Sequence, residues 1–214
     1  MFSPYQDDST NLLYNLLFCD DIELYKSTMK PPVAYPFDVL FSEKSSVEDL
    51  QNIIDNNFSE SRVVALAYLK QRLAGHPPEE KDILGVIVEV GLDDGLDVLA
   101  SFKNATARYI NYTGKIIIWE APNQTVFGLT NELMNNGMNI VNRIGVWDKQ
   151  RLPPPVKGNV RISFLVSDGL YFGEGPINVL FNDRLAGPAL KVATQLMQLI
   201  TEISLEKDRP IAFY

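Results

Sequence analysis

The chain has 214 residues, of which 46% are hydrophobic and 21% are charged. This composition is typical of one globular domain and excludes a chain that is disordered throughout. The formal net charge is −8, with 19 basic residues scattered among 27 acidic ones, so nucleic acid and anionic membranes are both disfavoured as partners. The single cysteine, Cys19, cannot form an intramolecular disulfide, and no segment approaches the roughly 20 apolar residues that span a bilayer. With no leader pattern at its start, the sequence predicts a cytoplasmic protein.

Residues 1–45 are predicted to form an N-terminal arm. Capping side chains at residues 8–10 predict a helix over residues 10–19. Three prolines oppose a helix over residues 25–41, which we interpret as an extended connector. Residues 46–214 then form a single α+β domain. The apolar stripe of the first helix either completes the protein's own core or docks onto a partner, and it consists of Leu12, Leu13, Leu16 and Leu17.

Two helices are predicted after the arm, over residues 47–56 and 60–74. The first has the spacing of a capping box, in which a side chain at each end of the first turn bonds the backbone of the other. The second ends at Gly75, which supplies a left-handed stop before two prolines. The candidate capping pairs are Ser45 with Glu48 and Ser46 with Asp49.

The stretch from residue 83 to residue 120 is predicted to form an antiparallel meander. It holds four short runs rich in β-branched and aromatic residues, and turn-forming residues separate each run from the next. Such a pattern indicates sequential strands joined by tight turns. The four predicted strands are residues 83–90, 96–102, 106–112 and 115–120.

The remainder is predicted to alternate helix and strand. A long helix covers residues 124–146, where Gly137 either breaks the helix in two or lets it approach the sheet closely. We favour one bent helix. Further strands are predicted at residues 160–167 and 177–181, and a returning strand begins at residues 170–172 after a hairpin turn. A helix is predicted from residue 188 to 205, followed by a loosely held tail from 206 to 214.

Together these elements predict the α+β class, with helices packed on an antiparallel meander sheet and an added N-terminal helical arm. At the level of fold, this arrangement looks like profilin and roadblock-type modules. That analogy implies no function, because many functions share such architectures.

Side chains on the third and fourth predicted strands form the candidate ligand- or partner-binding site. Alternation along the third strand places Arg108 and Tyr112 on one face, and Tyr109 and Asn111 on the other. Trp119 lies on the fourth strand, and aromatic residues and arginine are enriched in binding hot spots. The alternative is that these aromatic residues pack beneath helices. The surrounding segment, residues 96–120, resembles uncharacterised bacterial proteins, and this resemblance implies no activity.

The sequence predicts no catalytic residue, metal site or cofactor. His76 is the only histidine, so a histidine-dependent triad and a usual zinc shell both lack members. The glycine-rich residues 168–176 lack the spacing of a phosphate-binding loop. We therefore predict a non-enzymatic module that binds an unknown protein or small molecule, with a homo-oligomer left open. The alternatives are a carboxylate-dependent hydrolase using Asp97 and Glu120, and a regulatory subunit that docks through its arm.

Overall fold

A computed structural model describes residues 1–207, and its centre is a six-stranded antiparallel sheet. The strands are β1 Ile83–Gly91, β2 Leu96–Phe102, β3 Ala107–Ile110, β4 Ile116–Trp119, β5 Asn159–Val166 and β6 Gly169–Pro176. Their order is β4-β3-β2-β1-β5-β6, so the meander runs outward from β1 and the later hairpin adds on the other side. The predicted α+β class, with helices on an antiparallel sheet, is confirmed.

Eight helices are found within residues 1–207. Several begin at a side-chain cap: Asp7 accepts a bond from the Thr10 amide at 2.7 Å, and Ser46 with Asp49 forms the capping box. Asp7 therefore caps the first helix, one residue before the predicted capping side chains. The helices are α1 Asp8–Leu16, α2 Ile22–Ser27, α3 Phe37–Phe41, α4 Val47–Ile54, α5 Ser61–Leu73, α6 Gln124–Val141, α7 Ile177–Phe181 and α8 Ala186–Lys207.

Helices cover both faces of the sheet. Because side chains alternate along a strand, Val86 and Leu99 enter the core beneath α6 and α8, and we call this side the α8 face. Ile87 and Val98 enter a second core beneath α1–α5, and we call this side the N-terminal face. The protein is thus a three-layer arrangement in which each strand near the centre is buried on both sides.

The N-terminal segment is part of the second core. Tyr14 and Leu17 are fully buried there, and the Tyr5 hydroxyl donates a hydrogen bond to the Leu96 carbonyl oxygen at 3.0 Å. Of the predicted leucine stripe, Leu13, Leu16 and Leu17 therefore pack against the protein's own core. A domain boundary near residue 45 stays a prediction, as does docking of the arm onto a partner. No helix within residues 1–207 is long and apolar enough to cross a membrane.

Two predicted elements are wrong. The strand predicted at residues 177–181 is the helix α7, because the periodicity of a short apolar run cannot distinguish strand from helix. Residues 25–41 are not free of helix, since α2 ends at Ser27 and α3 begins directly after Pro36. Proline is tolerated at a helix start, where its missing amide hydrogen would have no partner in any case.

The helix α6 runs without a break through Gly137. A Cβ atom at that position would lie 2.8 Å from Ile83 Cδ1 and 3.1 Å from Phe164 Cδ1. The glycine therefore permits a close approach of helix and sheet, and the helix ends at Val141 rather than at residue 146. Of the predicted tail, residues 206 and 207 belong to α8 and the rest lies outside the described residues.

Candidate functional site

The predicted alternation of side chains along the meander is confirmed. Arg108 lies opposite Ile118 on the N-terminal face, and Tyr109 lies opposite Ile117 on the α8 face. The five predicted site residues therefore do not share one surface. The structure divides them between the two faces and a turn.

Arg108 is buried and tied to the end of β4. Its Nη1 donates to the carbonyl oxygens of Ala107 at 2.9 Å and Trp119 at 3.3 Å, and its Nη2 lies 2.5 Å from Glu120 Oε1. Burial lowers the pKa of Arg108, with a smaller contribution from nearby Arg62 and opposition from Glu120. The guanidinium therefore holds the last residues of β4 in place rather than facing outward.

Tyr109 and Tyr112 are linked through Asp97 on β2. The Tyr109 hydroxyl donates to Asp97 Oδ2 at 3.1 Å, and the Tyr112 amide donates to Oδ1 at 2.6 Å. Burial, followed by the negative charge of Asp97, raises the pKa of Tyr109. The Tyr112 side chain is 48% exposed and projects at the end of the β3–β4 hairpin.

Asn111 and Trp119 stabilise the fold: Asn111 bonds a turn, and Trp119 packs in the core. Asn111 Oδ1 accepts bonds from the Thr113 amide at 3.0 Å and the Lys115 amide at 2.9 Å, so it builds the tight turn between β3 and β4. Trp119 is buried in the core of the α8 face. The alternative interpretation, in which aromatic residues pack beneath helices, thus describes Trp119.

The outer edge of β4 is the exposed part of this region. The bond from the Asn111 amide to the Lys115 carbonyl oxygen, at 3.0 Å, closes the β3–β4 ladder. In an antiparallel ladder such pairs alternate, so the backbone groups of Ile117 face β3 and those of Ile116 and Ile118 face outward. Ile118 is also 58% exposed. Within residues 1–207, no strand pairs with this edge.

A groove of about 580 Å³ runs beside β4 on the α8 face. Its floor includes Tyr109 and Ile117, and its far wall is the end of α8, at Thr201 and Leu205. The groove thus lies between an open strand edge and a helix. An extended chain on the edge would place every second side chain in it.

The opposite edge of the sheet is partly occupied by the protein itself. The Trp147 amide donates to the Leu170 carbonyl oxygen at 2.7 Å, forming a bridge to β6. The Trp147 ring packs edge-on against Phe172, with 5.0 Å between ring centroids. Such coverage is a usual way of protecting an edge strand from pairing with another chain.

Sequence reasoning missed a buried polar network on the N-terminal face. The Tyr14 hydroxyl donates to Glu89 Oε1 at 2.6 Å, and Arg161 Nη1 lies 3.6 Å from Glu89 Oε2. Arg161 also binds Glu174 through its Nη2 at 2.6 Å. Burial raises the pKa of Glu89, although the bond from Tyr14 opposes that rise. A charged residue within the β1 apolar run was the available signal, since a buried carboxylate needs partners.

A second feature that sequence reasoning missed is a cleft among the N-terminal helices. It is lined by α2, the end of α3, the end of α5 and Arg151. Arg151 lies two residues before the proline run at 153–155, and its local sequence does not distinguish it as a functional residue.

The other candidate groups lie apart. Asp97 is on the α8 face and Glu120 is on the N-terminal face, so this placement gives no support to a shared cleft for two catalytic carboxylates. Burial raises the pKa of the Cys19 thiol to about 12, which keeps it protonated at neutral pH. In the part of the chain that the structure describes, no three histidine, cysteine or acidic side chains are grouped as metal ligands.

Comparison with models of known protein families and with curated protein sequences gives no match for this chain. The fold therefore gives its class: an α+β protein in which, within residues 1–207, no strand pairs with the outer edge of β4.

Proposed function

We propose that this protein is an interaction module that binds an extended segment of a partner protein as an added strand beside β4. The carrying observation is the outer edge of β4, where the backbone groups of Ile116 and Ile118 face away from the sheet. Strand addition satisfies such groups and takes its specificity from pockets for alternate side chains. The exposed side chains of Tyr112 and Ile118 flank this edge.

The length of β4 favours a peptide segment over a second copy of the chain. Its four residues span roughly 13 Å. A stable interface between two folded proteins buries about 1,200–2,000 Å² in total, more than one four-residue strand pair supplies. Two copies would also bring together two net charges of −8.

The chemistry of the edge indicates the kind of segment it accepts. Side chains of the added strand on the N-terminal face would meet Ile116 and Ile118, so apolar residues fit there. Side chains on the α8 face would enter the groove next to Tyr109. Glu120 at the end of β4 is exposed but already paired with Arg108, so it favours no particular charge in the partner segment.

The test is to select random peptides displayed on phage for binding to the full chain and to measure the affinity of the selected peptides. Ile118→Pro removes an outward amide hydrogen while leaving the bonds between β3 and β4 in place. Ile118→Ala is the matched control, because it keeps the amide and removes most of the same side chain. Circular dichroism checks that both variants fold.

We expect the selected peptides to alternate apolar and polar residues and to lose about tenfold or more affinity for Ile118→Pro relative to Ile118→Ala. Equal affinity for the two variants would show that the backbone of β4 is not the binding element. A selection that enriches no peptide at all would also contradict the proposal.

A further inference from the structure

The cleft among the N-terminal helices has the size of a small-molecule site. Its volume is about 640 Å³, and ligand pockets are typically about 300–1,000 Å³. No residue that lines it also lines the groove beside β4. Whatever occupies the cleft is therefore independent of the partner proposed for the sheet edge.

Arg151 is the polar anchor of the cleft. Its side chain is 9% exposed, its Nε donates to Asp20 Oδ2 at 2.9 Å, and its Nη2 donates to Asn15 Oδ1 at 3.0 Å. The guanidinium lies 3.8 Å from the centroid of the Phe18 ring. Its buried Nη1 makes no hydrogen bond to any described residue, which is unusual for a buried cation.

The bonds already made leave the Nη1 hydrogens without an acceptor, but the atom is buried, so an anionic group reaches it only after a covering side chain moves aside. Phe2, which also lines the cleft, holds its ring centroid 5.2 Å from the guanidinium carbon. A carboxylate that reaches Nη1 would therefore replace this ring contact with a charge-assisted hydrogen bond, which is the stronger interaction.

Lys70, the other cationic side chain of the cleft, already has hydrogen-bond partners within the protein. Its ammonium group donates to the carbonyl oxygens of Val39 at 3.1 Å and Leu40 at 2.9 Å, to Ser45 Oγ at 2.6 Å, and also to the Ser42 carbonyl oxygen. An ammonium group has three hydrogens to donate, so Lys70 has no capacity left for a ligand.

The remaining lining is mainly acidic and apolar. Its four carboxylates outnumber its three cationic groups, which are Arg151, Lys70 and the Met1 amino group. This excess disfavours phosphate and other polyanions and favours a ligand that also carries an ammonium group. Leu73 on the rim is 73% exposed, so it offers apolar area without an internal partner. The lining carboxylates are Asp20, Asp21, Glu23 and Glu43.

From these contacts we infer that the cleft binds a short apolar peptide with free termini. Its terminal carboxylate bonds Arg151 Nη1, its ammonium group lies among the acidic side chains at the rim, and its aliphatic side chains contact Leu73. This inference does not depend on strand addition at β4.

The probe is trileucine, titrated into the full chain by isothermal calorimetry. Two matched analogues remove one charge each: the C-terminal amide lacks the carboxylate, and the N-acetyl form lacks the ammonium group. We expect trileucine to bind and each analogue to lose about tenfold or more in affinity. Inorganic phosphate should not bind.

Variants assign the two ends of the ligand. Arg151→Gln removes the positive charge and should abolish the difference in affinity between trileucine and its amide. Glu23→Gln alters a side chain that is 81% exposed and pairs with Lys26, and it should weaken the binding of trileucine without affecting the N-acetyl form. Lys157→Gln, a cation in an exposed pair elsewhere on the surface, is the control and should change nothing.

Three results would overturn the inference: no binding of trileucine to the folded wild-type protein, equal binding of trileucine and its amide, or tight binding of phosphate. All three results are measured on the wild-type protein, so a variant that fails to fold does not affect the test.

Discussion

The hydrogen bond between Tyr14 and Glu89 joins the N-terminal helix to the central strand, and Tyr14→Phe removes it alone. The hydroxyl lies 2.6 Å from Glu89 Oε1, and both side chains are fully buried. The other carboxylate oxygen makes no hydrogen bond among the described residues, and its nearest cation is Arg161 at 3.6 Å. In the variant, the buried carboxylate therefore has no hydrogen-bond donor.

A hydrogen bond to a charged group contributes about 1.5–3 kcal/mol. Since the phenylalanine ring fills the same space, we expect the free energy of unfolding to fall by about 2–3 kcal/mol, a large share of the 5–15 kcal/mol typical of a protein. Urea denaturation followed by tryptophan fluorescence measures this loss. The loss should shrink in mildly acidic buffer, because a protonated Glu89 no longer carries a buried charge.

Tyr109→Phe is the matched control. It also removes a hydroxyl bonded to a carboxylate, at 3.1 Å, but Asp97 keeps its bond from the Tyr112 amide and stays partly exposed. We expect a loss of about 1 kcal/mol or less there. If Tyr14→Phe changed stability by less than about 0.5 kcal/mol, the contribution assigned to the hydrogen bond between Tyr14 and Glu89 would be refuted.

Three further predictions concern stability. Burial raises the pKa of Glu89, so the folded state holds this proton more tightly than the unfolded state does. The free energy of unfolding should therefore fall as pH rises from the ordinary glutamate pKa through the raised one. The fall is about 1.4 kcal/mol for each tenfold gain in proton affinity on folding. Urea denaturation across this pH range should show that the stability of Glu89→Gln depends less on pH. An unchanged pH dependence would contradict Glu89 as its origin. Gly91→Ala would place a Cβ 2.6 Å from the Pro155 carbonyl oxygen, and a thermal melt should report a loss of about 1–3 kcal/mol. Ser46→Ala removes the cap of α4 and should cost about 1 kcal/mol by the same melt; a neutral result would show that the capping box does not contribute.

The strands and their alternation could be predicted because the meander has strong local signals. Turn residues separate its β-branched runs, and a period of two residues fixes which side chains share a face. The sequence could therefore predict that Arg108 and Tyr109 lie on opposite faces of the sheet. It could not predict that helices cover both faces, because the sequence does not state which helices pack on which side.

The candidate site could be predicted only in part. The sequence directed attention to the strands now named β3 and β4. It could not show that Arg108 and Trp119 are buried there, because their burial depends on neighbours that are distant in sequence. The unpaired outer edge of β4 follows from its place at the end of the strand order, which is a property of the sheet topology and not of the local sequence. Arg151 becomes noticeable only when folding brings it against Asn15 and Phe18, more than a hundred residues earlier.

The most direct test of the proposed binding edge is amide hydrogen exchange at β4, measured by NMR with and without a selected peptide. In the free protein, the Ile116 and Ile118 amides should exchange quickly while the Ile117 amide, which faces β3, is protected. Adding the peptide should slow exchange at Ile116 and Ile118. Protection of those two amides in the free protein, or exchange that a bound peptide leaves unchanged, would contradict strand addition at this edge.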